Sequence, residues 1–237
     1  MNKSIILVGT IVLIYTLFVI FQFGGNELIA YNLRSLIFPF VALTYFISIR
    51  EKSIFFNLFL IFYSLSELLA IISDKLSPGV DYLLGNSLYI LAYLMLFIKI
   101  CKSISLMHVL KNFKIHLVVL TALNIYIVYV MQIIIDPLVE LNYEYFVELI
   151  YNIVMLLLLS SSLINYFYRD NKKSLYLFVG SLCIVFSEVI SVAYLYVAKQ
   201  DLLNFIAVSL ALIAFYFFYQ QSKLGNEESI NNNMLID

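Results

Sequence analysis

Tryptophan is absent from this chain, proline occurs three times and glycine seven times in 237 residues, and only 12% of the residues are charged. Each shortage excludes something. So little charge, set against 63% hydrophobic residues and a mean hydropathy of +0.98, excludes a soluble domain of this length, which could not hide that much apolar surface from water. With Pro39 the only proline inside an apolar run, nothing signals the broken midplane helices that mark many carriers. Two cysteines, Cys101 and Cys183, make no disulfide framework and fit packing positions. A net charge of −1 leaves no electrostatic footprint for nucleic acid as a partner. The two histidines, His108 and His116, have no cysteine or acidic cluster beside them, which argues against a metal site. No G-x-S-x-G, H-E-x-x-H, P-loop or G-x-G-x-x-G motif occurs, so serine-hydrolase, zinc-protease and nucleotide chemistry have no motif support and no cofactor is implied.

What the chain does have is long apolar runs. Crossing ~30 Å of hydrocarbon takes about 20 apolar residues. Eight segments qualify, at about 4–23, 28–48, 53–73, 81–100, 116–135, 143–168, 174–198 and 201–222. The expected fold is all-α: a polytopic membrane bundle of eight transmembrane helices forming one domain over residues 1–225, with a short polar tail at 226–237. Met1 to Phe23 carries one lysine and a longer apolar run than a signal-peptide core, with no A-x-A site after it, and reads as a retained first span. The connections are short, which puts any chemistry inside the bundle or at its mouths.

Cytoplasmic loops retain positive charge. Eleven of the fourteen Lys and Arg residues fall on one side: Lys3, Arg50, Lys52, Lys99, Lys102, Lys111, Lys114, Arg169, Lys172, Lys173 and Lys223. The opposite side has Lys75 and Lys199, and Arg34 lies within a span. Both termini are therefore expected in the cytoplasm of a cell-membrane protein. The other face is acidic, with Glu27, Asp81, Asp136, Glu140, Glu144 and Asp201 at or near it. The longest inner loop, "KICKSISLMHVLKNFKIH", interleaves lysines with apolar residues and reads either as a solvated loop or as a short interfacial segment. Tyrosines at span ends, such as Tyr143, Tyr145, Tyr166, Tyr168, Tyr216 and Tyr219, take the interfacial role that tryptophan would share.

Two stretches break the apolar monotony in the same way. "FYSLSELLAII" and "IVFSEVISVAY" each set a Ser-Glu pair inside a span, with Glu67 and Glu188 121 residues apart. Tyr31-Asn32 precedes Glu67 by 36 residues and Tyr151-Asn152 precedes Glu188 by 37. The chain reads as two parallel repeats of four spans, about 1–110 and 111–225, related by an axis along the membrane normal. The two glutamates are then expected to face each other across that axis.

An ionised side chain within a span is costly unless it is paired, neutralised or facing a wet cavity, so intramembrane charges are functional candidates by default. Four occur here: Arg34, Glu67, Glu148 and Glu188. Helical spacing sets them on polar stripes: Asn57, Ser64, Glu67 and Asp74; Glu144, Glu148 and Asn152; Ser181, Glu188 and Ser191. Asn86 and Tyr89 in the fourth span, and Asn124 and Tyr126 in the fifth, are positioned to add hydrogen-bond partners. The simplest structural role is a buried salt bridge between Arg34 and one glutamate. One arginine cannot neutralise three carboxylates, however, and at least one glutamate is expected to keep its proton. A carboxylic acid beside a carboxylate is equipment for general acid and base catalysis, and equally for a proton relay.

In these features the chain resembles the YhhN-like lysoplasmalogenases, eight-span proteins with an acidic residue in each of two helices. The residues that carry the resemblance are Ser66-Glu67, where family members tend to have Gly-Asp, and Ser187-Glu188, where they have Ser-Asp. Gly85, Tyr89, Ala92 and Tyr93 follow the family's Gly-x-x-x-Phe-x-x-Ala-His in the fourth span, and Gly180, Tyr151 and Met155 also fit. Both aspartates are glutamates here, and the span-four histidine is Tyr93. The resemblance implies hydrolysis of the vinyl ether bond of a lysoplasmalogen, with Glu67 and Glu188 as the catalytic acid and base. It further implies a membrane lysophospholipid as partner, met by Arg34, Glu148, Asn86, Tyr93 and Tyr151. Two other readings use the same residues: a non-enzymatic lipid-binding relative and a small-molecule carrier.

Overall fold

The computed structural model describes residues 3–49, 52–135 and 142–234. Among these are nine α-helices and no strand. Eight of the helices are long and apolar enough to cross a membrane, and the protein is a multi-pass membrane protein. They are α1 (Lys3–Phe23), α2 (Glu27–Ser48), α3 (Ile54–Ile71), α4 (Pro78–Cys101), α6 (Lys114–Ile135), α7 (Asn142–Arg169), α8 (Lys172–Val192) and α9 (Asp201–Met234). The ninth, α5 (Leu106–Asn112), lies in the lysine-rich loop. It turns Val109 inward and leaves Leu106, Met107 and Leu110 exposed, a pattern that suits an apolar boundary better than a solvated loop. Arg50, Asp136 and Glu140 lie outside the described residues, as do the side chains of Lys3 and Asp74.

Helix ends follow from local chemistry. Pro78 opens α4 at its first turn, where a missing N–H costs nothing and the fixed φ suits the helix. The start is therefore three residues earlier than the apolar run alone indicates. Asn171 caps α8 by accepting from the Ser174 N–H at 2.9 Å, and Ser174 returns a bond to Asn171. The seventh span finishes as a π-helical turn, Ala193–Val197, and α9 continues beyond its apolar part into the polar segment.

Four spans begin at the acidic end, and each has an acid in its first turn: Glu27, Asp81, Glu144 and Asp201. Two of them close on a cation, Lys99 and Arg169. Each such charge complements the helix dipole by ~0.3–1 kcal/mol, so the charge asymmetry between the two ends also steadies the helix ends. The exposed Glu27–Lys199 ion pair at 3.2 Å adds ~0–1 kcal/mol.

Packing order places the site. Helices α2, α3, α4, α7, α8 and α9 follow one another around a ring; α1 lies outside against α2, and α6 lies outside against α7. The second span of each half thus carries the first on its outer side. Near the ring's centre, Phe38, Phe59, Tyr63, Phe215 and Phe218 are fully or almost fully buried, and Phe59 stacks on Phe215 at 5.5 Å. Gly180 of α8 faces Phe218 of α9 where any Cβ would come within 2.6 Å of the ring, the close approach that small residues permit between membrane helices.

Candidate functional site

All six ring helices line a cavity of about 340 Å³ at the acidic end. α2 supplies Arg34 and Ser35, α3 Ser66 and Glu67, α4 Asn86 and Tyr89, α7 Glu148 and Tyr151, α8 Ser187 and Glu188, and α9 the small residues Ala207 and Ala211. Six of the seven site residues named from the sequence line this one space. The seventh, Tyr93, lies fully buried beneath it and reaches it by hydrogen-bonding Glu188.

The serine beside each glutamate has a defined job. Ser66 Oγ donates to the Gly85 carbonyl across the α3–α4 seam at 2.9 Å. Ser187 Oγ donates to the Ala207 carbonyl across the α8–α9 seam at 2.7 Å. Each bond ties its helix to the next in the chain and fixes the rotation that aims the neighbouring carboxylate inward. In both pairs the serine bonds a backbone carbonyl of the following helix.

The carboxylates are held from the other side by tyrosines of α4. Tyr89 donates to Glu67 Oε1 at 2.8 Å, and Tyr93, one turn further on, donates to Glu188 Oε1. Their rings are near-parallel, 6.5 Å apart at an interplanar angle of 16°, with Tyr63 set edge-on against Tyr89 at 5.0 Å. Tyr151 and Ser35 also line the same cavity. A hydrogen bond is worth ~0.5–1.5 kcal/mol net between neutral groups and ~1.5–3 kcal/mol to a charged one, so the Tyr89 and Tyr93 hydroxyls position both side chains. Two carboxyls lining one cavity, each with its own donor, can divide the roles of acid and base.

Arg34 acts on Glu67 and Glu188 through its field, but among the described residues no ion pair joins it to a glutamate. Its Nη1 donates instead to Asn204 Oδ1 at 2.9 Å. Asn204 Nδ2 donates to Gln22 Oε1 at 2.6 Å, and Gln22 Nε2 donates to Asp201 Oδ1 at 2.5 Å. The arginine is therefore oriented by a neutral amide chain running through α9 and α1. Glu148 occupies the mouth, where it accepts from Tyr82 at 2.7 Å and, more weakly, from Tyr196 of the π-helical turn at 3.5 Å. Asn86 turns its Nδ2 back onto the Tyr82 carbonyl at 3.1 Å. Among the described residues no three His, Cys, Asp or Glu side chains gather closely enough to hold a metal ion.

Several expectations need correcting. Asn124 pairs with Ser160 and lines a separate groove between α6 and α7, while Tyr126 is 64% exposed; α6 packs outside the ring and reaches no part of the main cavity. On α3 the face toward the cavity carries Tyr63, Ser66, Glu67 and Ala70 rather than Ser64. At about 100° per residue, Ser64 falls some 60° to the far side of Glu67. Ser181 bonds the Leu177 carbonyl within its own helix. Asn152 is fully buried, with neither amide atom hydrogen-bonded. Tyr82, Tyr196 and the Gln22–Asn204 chain also belong to the site and carry no distinct signal in the sequence. Tyrosines near span ends carry the same signature as an interfacial belt, and an amide bridging the first and last spans leaves no trace in local spacing.

Comparison of the chain with protein-family models, curated proteins and solved structures finds no match.

Proposed function

We propose that this protein is a lysoplasmalogenase-like hydrolase of the YhhN-like type, cleaving the vinyl ether bond of a lysoplasmalogen to a fatty aldehyde and a glycerophospho-alcohol. One observation supports it above the rest: Glu67 and Glu188, from corresponding helices of the two halves, line a single cavity, each fixed by a tyrosine of the same helix. In the reaction, the protonated carboxyl delivers its proton to the alkene carbon remote from the ether oxygen. The π electrons form the new C–H bond and the adjacent carbon becomes an oxocarbenium ion. The ionised carboxylate stabilises that cation and takes a proton from water as the water oxygen bonds to it. The resulting hemiacetal collapses, the leaving oxygen of the glycerol recovers a proton, and one water has been consumed. Arg34 offers its guanidinium to the substrate phosphate, and Ala207 and Ala211 leave room on the α9 side for the chain.

The lysine-rich end is assigned to the cytoplasm of the cell membrane, with both termini there, on the distribution of Lys and Arg. The cavity then opens toward the opposite leaflet. Purified protein in mild detergent, given lysoplasmenyl-ethanolamine and lysoplasmenyl-choline, is expected to release aldehyde, and Glu67→Gln or Glu188→Gln to lower that rate by ~10²–10⁴-fold. No aldehyde from folded protein at any pH would remove this reading and leave a lipid-binding relative or a carrier.

A further inference from the structure

A second cavity, of about 210 Å³, lies at the lysine-rich end of the bundle. It is walled by Lys99 and Ile100 of α4, Ser103, Asn165 and Arg169 beside and within α7, the first turns of α8 with Lys173 and Ser174, and Gln221 of α9. Among the described residues, three cationic side chains and no carboxylate line it. Since water occupies ~30 Å³ per molecule in the liquid, the space admits a phosphate-sized group with hydration left over.

Two of the cations are tethered by hydrogen bonds. Lys99 Nζ donates to Gln221 Oε1 at 3.1 Å and rests 4.6 Å over the Phe56 ring, so the ammonium is held by a neutral amide and an aromatic face. Arg169 Nη2 donates to the Ser103 carbonyl at 2.6 Å, which turns the guanidinium across the α4–α7 gap. Ser103 Oγ bonds Asn165 Oδ1 at 2.9 Å, tying the two walls together. The start of α8 adds the positive end of a 21-residue helix dipole.

We propose that this cavity binds a phosphate group. A lysine, a forked guanidinium and a helix start converging on one space match the tetrahedral oxygens of a phosphate, and basic pockets between membrane helices take anionic lipid head groups. The phosphate has two possible sources, an anionic phospholipid of the adjoining leaflet or a soluble phosphate. The site is separate from the carboxylate cavity at the acidic end and does not depend on the function proposed for that one.

Thermal unfolding of the full-length protein tests this. The protein is placed in nanodiscs of phosphatidylcholine alone or with added phosphatidylglycerol, and separately in phosphatidylcholine with inorganic phosphate. Phosphatidylglycerol or inorganic phosphate is expected to raise the unfolding temperature by several degrees, with at least a tenfold loss of apparent affinity in Lys99→Gln/Arg169→Gln. The charge-preserving Lys99→Arg variant guards against misfolding and should retain the response. A shift with phosphatidylglycerol alone assigns the lipid as the source, and a shift with inorganic phosphate assigns a soluble one. No shift with either, or a shift equal in the parent and the double variant while Lys111→Gln behaves like the parent, overturns the proposal.

Discussion

Replacing Gly180 with alanine probes how tightly the site helices are held together. The added Cβ would stand 2.6 Å and 2.7 Å from two Phe218 ring carbons and 3.2 Å from the Ala214 carbonyl oxygen. Carbon atoms in good contact sit ~3.5–4.0 Å apart, so about 1 Å of movement is required. Phe218 cannot yield easily, since it is fully buried and its ring is hemmed in by Phe59 at 5.6 Å, Phe215 at 6.1 Å and Phe56 at 6.2 Å. The strain falls on the α8–α9 seam. Overpacking of this kind costs ~1–3 kcal/mol, or about 2–12 °C in unfolding temperature for a chain of this size. Because α8 also carries Glu188, two turns further on, a shift approaching 1 Å at the carboxylate would cost up to ~10²-fold in any reaction it performs. Unfolding of Gly180→Ala in detergent, followed by circular dichroism, reads the first effect and aldehyde release the second. Adding Phe218→Leu should recover part of the stability. An alanine variant as stable as the parent, with no gain from Phe218→Leu, would refute the close-packing account.

Tyr93→Phe is expected to lower stability by ~1–3 kcal/mol, because a donor to the Glu188 carboxyl is lost in a buried setting; Tyr89→Phe should do the same at Glu67, and chemical denaturation measures both. Ser66→Ala and Ser187→Ala each remove one interhelical bond and should cost ~0.6–2 kcal/mol, with a combined effect near the sum, since the two seams are separate. Asn152→Leu should leave stability unchanged or raise it in the same assay, because the fully buried amide has no partner to lose. Arg34→Gln should raise KM for a lysophospholipid more than it lowers kcat, the pattern of lost binding to a remote phosphate.

The spans were legible because nothing competes with hydrophobicity over twenty residues: α1, α2 and α6 run within two residues of the bounds read from the apolar pattern. Boundaries moved where a different force took over, as with Pro78 at the start of α4. In the site, Glu67, Glu188, Arg34 and Glu148 stood out because a charge in an apolar run is conspicuous, and the internal repeat paired the first two. Hydroxyls were harder to read. Tyr89 and Tyr93 could be placed beside the glutamates, but Tyr82 and Tyr196 belong to the site only through the way α4, α7 and the end of α8 meet. Asn124 fits the periodicity as well as Asn86 does, and only the position of α6 outside the ring separates them.

The bond from Arg34 to Asn204 joins residues 170 apart in sequence, and this separation bears on how the protein is made. At ~5–20 residues per second, the second span is synthesised roughly 10–30 s before the eighth. Throughout that interval Arg34 lacks the amide chain through Asn204 and Gln22 that later orients it, and an arginine within a span is costly to insert, by up to ~2.5–3.5 kcal/mol at a helix centre. The second span must therefore wait near water or the insertion machinery until the last one arrives. Closure of the ring and completion of the cavity become the final event of biogenesis, and a chain truncated before α9 would be left with an unhoused charge for quality control to recognise.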